Sequence, residues 1–283
     1  MFRFVSRGRW RRRGHLLRSV RLRSYPMIVL VHYLARRSTT SDRLLLPVHL
    51  RARPREAPFW LRWSSSDARV FLEVFADREY DLRTLDPTLP VRTILDLGGN
   101  IGAAAVDLLG QYPEAKLISV EPSPTNLSLL RRNAQGSSGE WEIDARAVSD
   151  RTGSTLLYAS GWHSSDSTTS VVAQERQAAP DRAEHRTAQS PIPVPCTTVA
   201  SLLAEHGLTH LDICKIDVEG AEQLIFGKGQ DLAWLRHTNA VIIELHDRYI
   251  DASLVRGSLR DAGFIAKRTG DPAHRAEIFV RSQ

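Results

Sequence analysis

At 283 residues the chain is long enough to bury a substantial core, and holds one large α/β domain plus an extension. It has only two cysteines, Cys196 and Cys214, and no Cys/His cluster with zinc-site spacing, which argues against a disulfide framework or a structural zinc and fits a reducing, cytoplasmic compartment. The formal charge of +6 is unevenly spread: residues 1–62 carry sixteen arginines against Asp42 and Glu56, so the remainder is strongly acidic.

Residues 1–60 read as a basic N-terminal extension. An arm this rich in arginine is attracted to phosphates, of anionic lipid or of nucleic acid. Within it, Met27–Leu34 is apolar but far short of the roughly twenty residues that span a bilayer. It contains His32, is followed by Arg36 and Arg37, and has no convincing cleavage site after it, so a signal peptide is not expected. An interfacial amphipathic helix in peripheral contact with an anionic membrane is one reading. A helix packed on the following domain, or an unstructured leader, is the favoured one.

Residues 61–283 read as a single domain. A helix is expected over 66–79, where Val70, Phe71, Val74 and Phe75 recur at helical spacing behind Asp67. Strand 93–97, helix 102–110, strand 116–120, helix 125–134 and strand 141–148 follow. Residues 150–195 then interrupt the alternation with a short strand at 154–159, a Ser/Thr-rich stretch containing Trp162 and His163, and an exit stiffened by Pro191, Pro193 and Pro195. Helix 198–206, strand 211–217, a helix over about 219–226, strand 239–245, helix 251–262 and strands near 264–268 and 276–280 complete the chain. Such alternation implies a mostly parallel twisted sheet with helices on both faces.

Chemistry concentrates at strand ends. Ile94–Gly102 reads strand, glycine turn, helix start, with Asp96, Gly98, Gly99, Asn100 and Gly102 in a D-x-G-x-x-x-G order rather than the dinucleotide G-x-G-x-x-G. Gly98 and Gly99 let backbone approach a ligand closely. A strand-end carboxylate without a phosphate cradle suits a cationic, phosphate-free cofactor with an amino-acid tail, a description that S-adenosyl-L-methionine meets. About twenty residues on, Glu121 closes the next strand and can accept hydrogen bonds from both ribose hydroxyls, before Pro122 and Pro124 turn the chain.

A third block, Cys214-Lys-Ile-Asp-Val-Glu-Gly-Ala-Glu222, completes a pattern. Together with Asp96–Gly102, Val120–Asn126, Ala147–Gly153, Ile242–His246 and the lead-in Ser64–Tyr80, it resembles the FkbM family of S-adenosylmethionine-dependent methyltransferases over about residues 60–281. Gly99, where relatives more often have Ala, and Ala200, where they commonly carry Asp, depart from that pattern. The resemblance implies a Rossmann-like class I methyltransferase fold whose last strand runs antiparallel. It also implies O-methylation of a hydroxyl on a small molecule, sugar, polyketide or glycolipid.

A sulfonium methyl reacts once an acceptor is held in line with the carbon–sulfur bond, and an alcohol acceptor also needs a base. Asp217, Glu219 and His246 are the catalytic candidates, with Glu244 beside them. The four could also gather round a divalent cation, although no metal is expected. Asp217 is also expected to touch the cofactor. Lys215 points opposite to its strand neighbours and could pair with an acid. Adenine is expected around Asp144–Ser149, with Ala147 and Val148 against the ring. Trp162, His163, Ser164 and Ser165 suit stacking and hydrogen bonding to an acceptor. The arginine-rich arm keeps a nucleic-acid methyltransferase or an RNA-binding protein as the alternative. It is disfavoured because Ile216-Asp-Val-Glu-Gly220 stands where base-methylating enzymes have an aromatic N-P-P-Y-type motif.

Overall fold

The computed structural model describes residues 44–51, 53, 57–63, 65–82, 90–137, 139–158, 168, 190–247, 250–269 and 274–282, together with Leu16, Ser19 and Val20. Met27–Leu34 and the cluster Trp162–Ser165 lie outside the described residues.

Seven strands form the central sheet: β3 (Thr93–Leu97), β4 (Lys116–Val120), β5 (Glu140–Asp144), β9 (Leu211–Ile216), β10 (Thr238–Glu244), β11 (Phe264–Arg268) and β12 (Ala276–Arg281). Their order is β11-β12-β10-β9-β3-β4-β5. The core pairs are parallel, whereas β12 runs antiparallel to both its neighbours. This is the doubly wound sheet with one reversed strand expected for the class I fold.

The period-two alternation of these strands divides the core between the two faces. Ile94, Ile213, Ala240 and Ile242 pack on one side, with helices α1 (Asp67–Phe75) and α2 (Ala103–Gln111). Leu95, Leu97, Cys214, Ile216, Val241 and Ile243 pack on the other. There they meet α4 (Val199–Glu205), α5 (Glu222–Phe226) and α6 (Ala252–Asp261). Helix α3 (Pro124–Ala134) starts with proline in its first turn, where the missing N–H costs nothing.

Two features escape the sequence pattern. A hairpin of β1 (Leu45–Val48) and β2 (Phe59–Arg62) closes over the first face, with Phe59 tilted against Phe71 and edge-on to Phe75, and with Leu16 and Val20 buried in the same core. The boundary expected at residue 60 falls inside β2. The strand expected at 141–148 divides at Arg146: β6 (Ala147–Val148) leaves the main sheet and joins β7 (Gly153–Leu157) and β8 (Ile192–Thr197) in a three-stranded sheet. Prolines do not prevent β8, because Pro193 and Pro195 fall where it pairs with β7 only.

Two helices are shorter than periodicity suggests. Helix α1 stops at Phe75; the chain turns through Arg78 at φ 61°, and the Glu79 carboxylate accepts the backbone N–H groups of Arg275 and Ala276. Helix α5 begins at Glu222 because Glu219 and Gly220 take left-handed conformations, φ 54° and 96°. No helix among the described residues is long and apolar enough to cross a membrane.

Candidate active site

The carboxyl ends of β3, β4 and β9 meet around the glycine turn, at the position where open α/β sheets bind ligands. Gly98 has φ +84°, and a Cβ there would lie 1.8 Å from the Asp217 carbonyl oxygen, so only glycine fits. The N–H groups of Gly98 and Gly99 both donate to the Val120 carbonyl, tying the turn to β4. At Gly99 a Cβ would sit 2.9 Å from that of Ser119, which ties the departure from alanine to that side chain.

Asp96 does not reach the cleft. It is fully buried, accepts from Ser119 Oγ at 3.0 Å and pairs with Lys215 Nζ at 3.0 Å. Lys215, also buried, donates to the carbonyls of Gly98 (2.6 Å) and Leu97 (3.3 Å). Burial opposes its charge, but Asp96 and then Asp217 outweigh this and hold its pKa above the ordinary lysine value. Asp96, expected at the cofactor, is here the anchor of the lysine that holds the turn. Gly102 also leaves the ligand surface, since its role is steric. At φ +86° it caps α2, and a Cβ would strike the Trp141 ring at 2.7 Å.

One cleft, of about 550 Å³ and open to solvent, is lined by Gly98, Asn100, Glu121, Pro122, Ala147 and Asp217, and by Asn126, Val148 and Leu157. Glu121 Oε2 accepts the backbone N–H of Asn100 at 2.8 Å, and Oε1 accepts that of Ser123 at 2.9 Å and Asn126 Nδ2 at 3.3 Å. Three donors thus converge on this one carboxylate at the mouth of the cleft. Beyond it, Pro122, Ala147, Val148 and Leu157 make an apolar slot. Asp144 turns away, held by Arg146 and His206.

A second cleft, of about 540 Å³, shares Gly98, Asn100, Asp217 and Glu219 with the first and is lined further by Gly99, Tyr80, Glu73, Lys215, Glu244 and Arg275. Its character is ionic. His246 bridges Glu219 (Nε2, 3.1 Å) and Glu222 (Nδ1, 2.8 Å), with Glu244 at 3.8 Å. Burial opposes the imidazolium, but the bonds to Glu219 and Glu222 prevail and lift its pKa to about 11. His246 thus favours its charged form, paired with two of the neighbouring carboxylates. Burial, then the charge of Asp217, push Glu244 up to about 8. Burial also raises Asp217, with Lys215 opposing and Glu219 adding. Asp217, Glu219 and His246 each place one ligand atom within 4.8 Å of the others, a spacing compatible with a divalent cation.

Sequence reasoning brings Gly98, Asn100, Glu121, Pro122, Ala147 and Asp217 to one cleft. It misses Tyr80, whose ring lies 5.8 Å from Lys215 Nζ, and Asn126 and Arg275. Tyr80 and Asn126 end two of the quoted motif segments, which was their available signal. Arg275 belongs to a strand lead-in with no local mark.

The Methyltransferase FkbM domain model matches residues 96–266. The chain is 28% identical over 229 residues to the 31-O-demethyl-FK506 methyltransferase FkbM of Streptomyces tacrolimicus, covering 72% of this chain and 84% of that protein. It is 27% identical over 216 residues to the 2-O-methyltransferase NoeI of Sinorhizobium fredii, covering 76% and 82%. Among solved structures, that of Methyltransferase FkbM from Methylobacillus flagellatus aligns at 12% identity and TM-score 0.49, covering 91% of this chain and 59% of that one. With more than half its length matched by the domain model, the chain belongs to the FkbM family of methyltransferases.

Proposed function

We propose that the protein transfers the methyl group of S-adenosyl-L-methionine to a hydroxyl of a small molecule, a sugar or a polyketide or glycolipid. One observation carries this reading: two clefts of opposite character meet at Gly98 and Asp217, one offering an orienting carboxylate with an apolar slot, the other a set of titratable groups. The names of two relatives, an O-demethyl-FK506 methyltransferase and a 2-O-methyltransferase, support the hydroxyl acceptor.

In this reading Glu121 accepts the ribose hydroxyls and Pro122, Ala147 and Val148 flank the adenine. Gly98, which carries no side chain, would leave room for the methionine end. The cofactor supplies an electrophilic methyl. The residues of the second cleft, Asp217 among them, would hold the acceptor with its oxygen directed at the methyl. As that oxygen becomes nucleophilic its proton must leave. Glu244 and Asp217, both with raised pKa, can take it, while His246 stays charged between Glu219 and Glu222 and keeps the carboxylates in place. A base near pH 8 combines availability with proton affinity.

Calorimetric titration with S-adenosylmethionine, S-adenosylhomocysteine and, for contrast, NAD tests the cofactor. Micromolar binding of the first two and none of NAD is expected. A folded protein that binds neither sulfur compound, with or without magnesium, contradicts the reading.

A further inference from the structure

The ribose carboxylate of this reading is connected to the N-terminal hairpin by a buried polar chain. Arg62, the last residue of β2, grips Asp67 with both ends of its guanidinium: Nε donates to Oδ2 at 2.9 Å and Nη2 to Oδ1 at 2.8 Å. The same Nη2 donates to Asn126 Oδ1 at 2.9 Å, and Asn126 Nδ2 donates to Glu121 Oε1 at 3.3 Å. All four residues are nearly inaccessible, at 5% exposure or less.

The direction of this chain is set by chemistry. Arginine has donors only, so the amide of Asn126 must turn its oxygen toward Arg62, and its NH₂ is thereby aimed at Glu121. An asparagine in solvent, or beside a hydroxyl, would be free to flip. With the two backbone N–H groups of Asn100 and Ser123, the amide makes a third donor on Glu121 and fixes the plane of the carboxylate. The glycine turn and the start of α3 thus hold the carboxylate directly, and the hairpin reaches it through Asn126.

We infer that Arg62 and Asn126 are positioning residues for cofactor binding: they set the orientation in which Glu121 receives the ribose hydroxyls, and so make β2 a working part of the cofactor site. The inference rests on the proposed S-adenosylmethionine site. It separates from a packing role because orientation of Glu121 matters only to a ligand that has ribose hydroxyls.

The test compares S-adenosylhomocysteine with its 2′,3′-dideoxy analogue, by calorimetry on the full chain. The double variant Arg62→Met/Asp67→Asn removes the guanidinium without leaving a buried charge, and keeps an oxygen for the Arg62-position backbone N–H. Asn126→Leu removes the amide and guards against failure of the double variant to fold. The unchanged protein should prefer the natural ligand by about tenfold or more, as expected for lost hydrogen bonds to a charged group. The double variant should weaken S-adenosylhomocysteine about tenfold and leave the dideoxy analogue within about twofold, so that the preference collapses, and Asn126→Leu, at a residue that also lines the cleft, should lower the preference by a similar factor. Equal weakening of both ligands would reduce the two residues to packing and overturn the inference, as would an unchanged preference in a folded variant. An unchanged protein that binds S-adenosylhomocysteine no better than the dideoxy analogue would instead overturn the ribose assignment of Glu121 itself.

Discussion

The two clefts that meet at Gly98 are built from different materials. The one holding Glu121 relies on backbone N–H groups, a glycine and small apolar side chains around a single carboxylate. The other crowds Glu73, Glu219, Glu244, Asp217, Arg275 and Lys215 together, with several carboxyl groups pushed toward neutrality. The first arrangement is, in the proposed reading, the one that orients the cofactor. The second has its proton affinities displaced by burial and by neighbouring like charges, which is how proteins prepare groups that must gain or lose a proton.

Lys215 stands between the two, and its loss should have the largest effect. Lys215→Met would leave Asp96 buried without its cation and free the carbonyls of Leu97 and Gly98. A loss of about 3–5 kcal/mol in denaturant unfolding is expected. A loss below about 1 kcal/mol would show that the turn does not depend on this pair.

Glu244→Gln should act on the ionic cleft alone. Transfer should fall by about 100-fold or more while affinity for S-adenosylhomocysteine stays within about twofold. The unchanged enzyme should gain activity as pH rises through about 8, where Glu244 loses its proton, and the variant should lack that inflection. Stability carries the opposite sign. A carboxyl whose folded pKa exceeds its unfolded value of about 4.3 binds a proton more tightly when folded. That contribution is present in full below the unfolded value and is lost as pH rises toward 8. The unfolding free energy of the variant should therefore slope less across this window. An identical slope would remove Glu244 as the titrating group.

Glu121→Ala should act on the other cleft, weakening S-adenosylhomocysteine by about 2–3 kcal/mol without shifting the pH profile of transfer. Full retention of affinity would sink the ribose assignment. At the opposite end of the sheet, Arg92 and Glu114 form an exposed ion pair at 2.8 Å, with side chains 72% and 77% accessible. Glu114→Gln should change stability by less than about 0.5 kcal/mol and neither affinity nor rate, and so serves as the control.

Much of the sheet is legible in the sequence because its strands are short apolar runs punctuated by glycine, proline and acid. The hairpin is not: Leu45–Val48 and Phe59–Arg62 are four-residue strands joined by a connection with no turn signature, and only tertiary packing on Phe71 and Phe75 defines them. The prolines of β8 read as a loop because a one-sided strand is a property of its neighbours. In the site, residue type and strand position suffice to place Glu121 in the cleft, where backbone N–H groups hold it. They do not reveal that Asp96 and His246 are engaged by Lys215, Glu219 and Glu222, because those partners come from distant parts of the chain.

The most direct test of the division between the clefts is a crystal structure with S-adenosylhomocysteine. The ribose hydroxyls should lie within hydrogen-bond distance of Glu121, the adenine between Pro122 and Ala147, and the sulfur beside Gly98, facing Glu244 across the second cleft. Adenosine lodged among Glu73, Glu244 and Arg275, with Glu121 untouched, would contradict the account.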